Sequence, residues 1–181
     1  MLFLDINQKN IDMTRKVLYS IFIAFLCFGL TLHAQSLKTP APSPTQSLKQ
    51  NFGLGEISLE YSRPSTKGRV IFGDLVPYGK IWRTGANAST KITFTDDVMV
   101  EGKAVNAGTY ALYTIPGKDN WEILLYKDLT LGGGVNNYNQ ADELMRVNVK
   151  PTALSQKIET FTIEVADVMP TSSLLKCCGI R

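Results

Sequence analysis

The sequence predicts an all-β protein: an antiparallel β-sandwich or jelly roll, built as a single domain behind a cleaved signal peptide. Three observations carry this. From Ile57 onward apolar residues recur with a period of two, the spacing at which strand side chains return to one face. The alternating runs are short and are separated by Gly, Pro, Asn and Asp, the residues that turns require. Beyond the leader, no window of ten or more residues carries an apolar stripe at helical spacing. The 181-residue length fits one domain plus an export segment, and the 44% hydrophobic content is enough to fill a core without disulfide or metal staples.

The leader comes first. Arg15 and Lys16 precede an uncharged apolar run, Val17 to Leu32, and Ala34 places a small residue before Gln35. A basic flank, an apolar stretch and a small residue at the break define a secretory signal peptide over residues 1–34. Met13 is a second candidate start, because Asp5 and Asp12 are foreign to a leader. The run is shorter than the ~20 apolar residues of a bilayer-spanning helix. The expected address is the periplasm or the cell exterior, with membrane contact only through the signal segment during export. The single histidine, His33, falls in the leader. A mature chain without imidazole excludes Ser-His-Asp and Cys-His nucleophiles and His-ligated zinc. Its two cysteines, Cys177 and Cys178, are adjacent, so their Cβ vectors diverge and no stabilising disulfide is expected. A net charge of +3 is too mild for a nucleic-acid groove.

Residues 35–50, with Pro40, Pro42 and Pro44, read as a Pro-rich arm or linker. The β domain is expected over 51–181. Its strands follow from Ile57-Leu59-Tyr61, Ile92-Phe94, Val98-Val100, Lys103–Val105, Thr109–Ile115, Trp121–Tyr126, Leu144–Val149 and Phe161–Val165. Trp121 shares a face with Ile123 and Leu125 and is assigned to the core. Leu129–Gln140 holds three consecutive glycines and reads as a mobile surface loop, with a lid as the sharper alternative. It lacks the lysine and spacing of a phosphate-binding loop.

Residues 61–90 break the pattern. They set Arg63, Lys67, Arg69, Lys80 and Arg83 against one carboxylate, Asp74, and interleave Tyr61, Phe72, Tyr78 and Trp82 with turn-forming Gly and Pro. The pieces Tyr61-Ser62-Arg63-Pro64-Ser65, Lys67-Gly68-Arg69, Ile71-Phe72-Gly73, Leu75 to Lys80 and Trp82 to Asn87 resemble the hallmark of the DUF2911 family. Ala107-Gly108-Thr109-Tyr110 and Thr114-Ile115-Pro116 extend the likeness to roughly residues 36–168. The resemblance implies an exported all-β domain and brings no activity and no cofactor. Family members continue past the Phe161–Val165 strand into a further strand containing Trp and Glu. Here Thr171–Arg181 (TSSLLKCCGIR) reads as a truncated or frame-shifted tail that would leave a sheet edge unpaired.

Six residues are candidate ligand contacts: Arg63, Arg69, Tyr78, Trp82, Arg83 and Asn87. Guanidinium groups grip carboxylate, sulfate or phosphate through paired hydrogen bonds, and flat rings stack on sugar faces. The structural alternative pairs the arginines with Glu56, Glu60, Asp74 or Asp96, puts Trp82 in the core and has Asn87 cap its own turn. Asp96-Asp97, read on a strand, point to opposite faces, and Asp142-Glu143 lacks alternating calcium ligands. No catalytic residue, metal or cofactor is therefore expected. The first reading is a structural or interaction module of the cell envelope. The second is a binder of a small anionic or saccharide ligand through residues 61–90. The third is a histidine-free carboxylate hydrolase using Asp74 with Tyr78 or Lys80.

Overall fold

The computed structural model describes residues 5–28 and 38–179, which fall into two compact units, 1–39 and 40–181. In the first, no Gly or Pro interrupts residues 5–28, and they form one helix, α1 (Asp5–Phe28). No helix among the described residues is long and apolar enough to cross a membrane. His33 and the expected cleavage point after Ala34 lie outside the described residues.

Among the described residues the second unit is built from ten antiparallel strands: β1 (Thr45–Phe52), β2 (Gly55–Ser62), β3 (Thr90–Phe94), β4 (Val98–Val100), β5 (Lys103–Val105), β6 (Gly108–Ile115), β7 (Trp121–Tyr126), β8 (Glu143–Val149), β9 (Thr162–Ala166) and β10 (Leu174–Cys178). Six form one sheet in the order β1-β2-β3-β6-β7-β8, while β9 pairs β10 and β4 pairs β5. The registers Leu59↔Ile92, Ile92↔Tyr110, Leu112↔Leu125 and Leu125↔Met145 carry the period-two residues across the sheet onto one face. That face buries Ile57, Leu59, Tyr61, Ile92, Phe94, Leu112, Leu125, Met145 and Val147 together with Val105, Phe161 and Ile163. The β4–β5 hairpin and the β9–β10 ribbon are thus the second layer of the sandwich. Each such side chain contributes about 1.5–3 kcal/mol by leaving water.

The opposite face carries a smaller core of Ala111, Tyr113, Leu124 and Tyr126. Its cover is the glycine-rich segment expected to be a mobile surface loop. Leu131, Val135 and Tyr138 pack on it, the Tyr113 hydroxyl donates to Gly132 O at 2.9 Å, and the rings of Tyr126 and Tyr138 stack 4.8 Å apart. The glycines break strand pairing without removing these apolar anchors, and an uncovered apolar face on β6 and β7 would be costly. At Gly133 an added Cβ would collide with Asn87 O and the Arg83 guanidinium.

Three further differences stand out. The second half of the Pro-rich arm is strand β1, paired with β2 along its whole length. The domain therefore begins ahead of residue 51. The tail does not leave its neighbour unpaired: Leu174–Cys178 pairs with β9. Both cysteines in it are free thiols, with Cys177 packed against the main core. Asp96 and Asp97 lie in a turn rather than on a strand, where Asp97 Oδ1 accepts from Ala107 N at 2.8 Å.

Candidate functional site

The irregular segment between β2 and β3 is held to the sandwich in three stages. First, Arg63 prolongs the β1–β2 pairing, its N–H donating to Pro44 O at 2.9 Å. Its guanidinium turns toward β9, Nε donating to Phe161 O at 3.1 Å and Nη2 to Thr162 Oγ1 at 2.8 Å. Beside it the Glu159 carboxylate accepts from Thr66 Oγ1 (2.6 Å) and Lys67 N (2.8 Å). Those donors hold the Glu159 carboxyl below its ordinary value. Arg69 closes its own turn, donating to Thr66 O at 2.9 Å and Ser65 O at 3.0 Å.

Second, residues 70–79 curl into a small loop through Val76 N to Ile71 O (2.8 Å) and Gly73 N to Val76 O (2.9 Å). Phe72 anchors it by edge contacts with Trp121 at 4.7 Å and Trp82 at 5.6 Å. Tyr78, Asp74 and Lys80 stay exposed on its outside. Tyr78 lies across Gly73, where a Cβ would meet the ring.

Third, Trp82 returns the chain to the sheet. It exchanges backbone hydrogen bonds with Thr114, at 2.7 and 2.9 Å. Its indole N–H donates to Gly85 O at 3.1 Å, and its ring meets Phe161 at 5.1 Å. Arg83, the next residue, points to the other face, where Nη1 donates to Gly133 O at 2.7 Å and Asn87 O at 3.2 Å. Asn87 reaches Ser62 Oγ (3.2 Å) and Ser43 O (3.3 Å). Between them Thr84 sits fully buried at φ +56°, a strained conformation for a β-branched residue. The strain is held by Thr84 Oγ1 donating to Thr114 Oγ1 (3.2 Å) and Thr90 Oγ1 donating to Thr84 O (2.6 Å).

The six candidate contacts therefore divide. Arg63 and Trp82 meet around Phe161; Arg83 and Asn87 meet under the glycine-rich loop; Arg69 closes a surface turn and Tyr78 covers Gly73. The arginines bond backbone carbonyls and a hydroxyl, not the carboxylates of Glu56, Glu60, Asp74 or Asp96. Ion pairs among the described residues are Lys49–Glu56, Arg146–Glu122, Arg146–Glu143 and Lys176–Asp167. A shallow open depression of about 310 Å³ is lined by Asp128, Thr130, Leu131, Gly134, Asn136 and Asn137, and none of the six borders it. Among the described residues no three His, Cys, Asp or Glu gather as metal ligands.

Sequence reasoning missed a polar network on the loop-covered face. Arg146 on β8 bonds Glu122 Oε2 at 2.6 Å and forks onto both oxygens of Glu143, which also accepts from the Tyr138 hydroxyl. Burial raises the Glu143 carboxyl, but the Arg146 fork and Tyr138 outweigh it and hold it below its ordinary value. The one available signal was opposite charge at the loop-facing positions of two strands, Glu122 in WEILLY and Arg146 in LMRVNV.

Fold and segment together define an antiparallel β-sandwich domain with an internal arginine–tryptophan brace. The chain belongs to the DUF2911 family, described as proteins of unknown function, whose model matches residues 43–177. That span takes in both β1 and most of β10. No curated protein and no solved structure matches the chain.

Proposed function

We propose that this protein is an exported structural or interaction module of the cell envelope, acting by contact. One observation carries the reading: the guanidinium groups of residues 61–90 are spent on the fold's own backbone, bonding Phe161 O, Thr66 O, Ser65 O, Asn87 O and Gly133 O. A guanidinium engaged in that way is a brace and offers an incoming anion little. Exposed Val70, Leu75 and Tyr78 on the loop beside it favour contact with another molecule. The leader pattern favours export.

The test is Arg83→Ala. As a brace, Arg83 is expected to contribute about 1.5 kcal/mol through its two carbonyl bonds, so the substitution lowers Tm by about 3–6 °C. Thermal shift across a panel of glycans and small organic and inorganic acids should then show no saturable stabilisation of the parent chain. A compound that raises the parent Tm and loses that effect in Arg83→Ala overturns the reading in favour of an anion or saccharide site.

A further inference from the structure

The strongest unclaimed surface is the outer edge of β1. Among the described residues no strand pairs with it. Natural edges are blunted by proline, bulges or charge because a row of free N–H and C=O groups recruits another strand. This edge is eight residues long, TQSLKQNF, with no proline and no register shift. Its one charge, Lys49, is drawn to Glu56 at 3.0 Å.

The groups that face outward can be assigned. Phe52 and Gly55 flank the two-residue turn that joins β1 to β2, so that pair is hydrogen bonded and alternate residues along β1 point inward. Arg63 N donating to Pro44 O shows that even-numbered residues bond toward β2. Glu56, even-numbered on β2, instead bonds toward Thr95, at 3.1 Å through its carbonyl. The free edge therefore presents the N–H and C=O of Thr45, Ser47, Lys49 and Asn51. Gln50 Nε2 reaching Asn51 O at 3.0 Å agrees with that assignment.

The geometry points to a second copy of this chain as the occupant, with β1 pairing antiparallel to β1 of its partner about a two-fold axis through Leu48. This names the partner for the interaction role proposed above and rests on it. The self-complementarity of one register argues for a copy as the partner, and three arguments select that register. Antiparallel partners must both point into the pair or both point away, so an odd residue meets only an odd one. Centring on Lys49 would set two lysines face to face, a like-charge pair. Centring on Ser47 would leave Asn51 beyond the partner's strand. Centring on Leu48 uses Thr45, Ser47, Lys49 and Asn51 on both copies, sets Lys49 opposite Ser47, and brings Leu48 against Leu48. Leu48 already packs on the core-side face, so the contact extends that core across the axis and joins two six-stranded sheets. An edge contact of this size lies at the small end of specific interfaces. The dimer is therefore expected to depend on concentration.

The register supplies its own test. Leu48 and its copy form a non-hydrogen-bonded pair with Cα atoms about 4.5 Å apart, a separation that a disulfide spans. In the full chain, Leu48→Cys should give a covalent dimer under mild oxidation, beyond any seen for the parent with its own cysteines. Ser47→Cys, offset from its copy along the pair, should not. Ser47→Pro removes an outward N–H and no bond to β2, so it should weaken dimerisation about tenfold or more with the fold intact by circular dichroism. Light scattering over a concentration series reads the mass. A parent that stays monomeric at high micromolar concentration, or equal cross-linking of Leu48→Cys and Ser47→Cys, overturns the proposal. Those results leave the Arg83 ligand screen untouched, so the two readings fail separately.

Discussion

Trp82→Ala is expected to destabilise the domain by about 3 kcal/mol, the low end for removing a large aromatic because the ring is half-buried. That corresponds to a fall in Tm of about 10 °C. Trp82 sits where the segment rejoins the sheet. Its ring is held edge-on between Phe72 and Phe161, at 5.6 and 5.1 Å, and its N–H satisfies the Gly85 carbonyl. Removing it frees Phe72, which in turn lies on Trp121. Trp82→Phe keeps most of the ring contact and loses the Gly85 bond, so about 1 kcal/mol is expected. A tryptophan kept for stacking on a ligand would behave differently: its removal leaves stability unchanged or raised. Chemical denaturation of the three proteins decides between them.

The second large effect is at Arg146. Arg146→Ala leaves Glu143, whose side chain is 8% exposed, and Glu122 without their cation. Breaking a buried pair costs about 3–5 kcal/mol. Arg146 and Glu122 each keep 32% exposure, and solvent screening brings the expected loss to about 2 kcal/mol. The loss depends on pH in a definite sense. The Glu143 carboxyl lies below its ordinary 4.5 in the folded parent. The stability it supplies is thus fully present above pH 4.5 and is lost as pH falls toward the folded value. Without Arg146, burial acts on Glu143 with less opposition and moves its carboxyl upward. The gap in Tm between parent and variant should be widest at neutral pH and close below pH 4.5. Asp128 and Glu159 also lie below their ordinary values, but both remain in the variant and cancel in the comparison. A gap that is constant from pH 7 to pH 3.5 contradicts this account of Arg146.

The sheet core was legible because β2 and β3 alternate apolar and polar residues, so the period of two stands in the letters, while β6 and β7, buried on both faces, stand out as aromatic and aliphatic runs bounded by turn residues. β1 hid for the opposite reason. Only Leu48 and Phe52 are apolar among its inward positions, and Gln46 and Gln50 mask the alternation. β10, LLKCC, shows no alternation and is fixed by pairing with β9. The glycine-rich segment misled because glycine content speaks for backbone freedom, while Leu131, Val135 and Tyr138 decide where the segment rests. Residues 61–90 were recognisable as unusual, yet the partners of their arginines were not. Those partners are chiefly backbone carbonyls, which every residue carries and no letter marks. Tertiary placement alone puts Gly133 O within 2.7 Å of Arg83.

The account stands on residues 61–90 being fastened into the sandwich, and native-state hydrogen exchange reads this amide by amide. The N–H groups of Thr66, Val76, Trp82 and Thr90 donate to Glu159, Ile71, Thr114 and Arg83 carbonyls. If the brace is part of the cooperative fold, the amides of Trp82 and Thr90 exchange as slowly as those of β6 and β7, and Thr66 and Val76 are protected well above a free loop. Exchange of all four near the unprotected rate, while β6 and β7 stay protected, would show a segment that opens on its own and would contradict the brace.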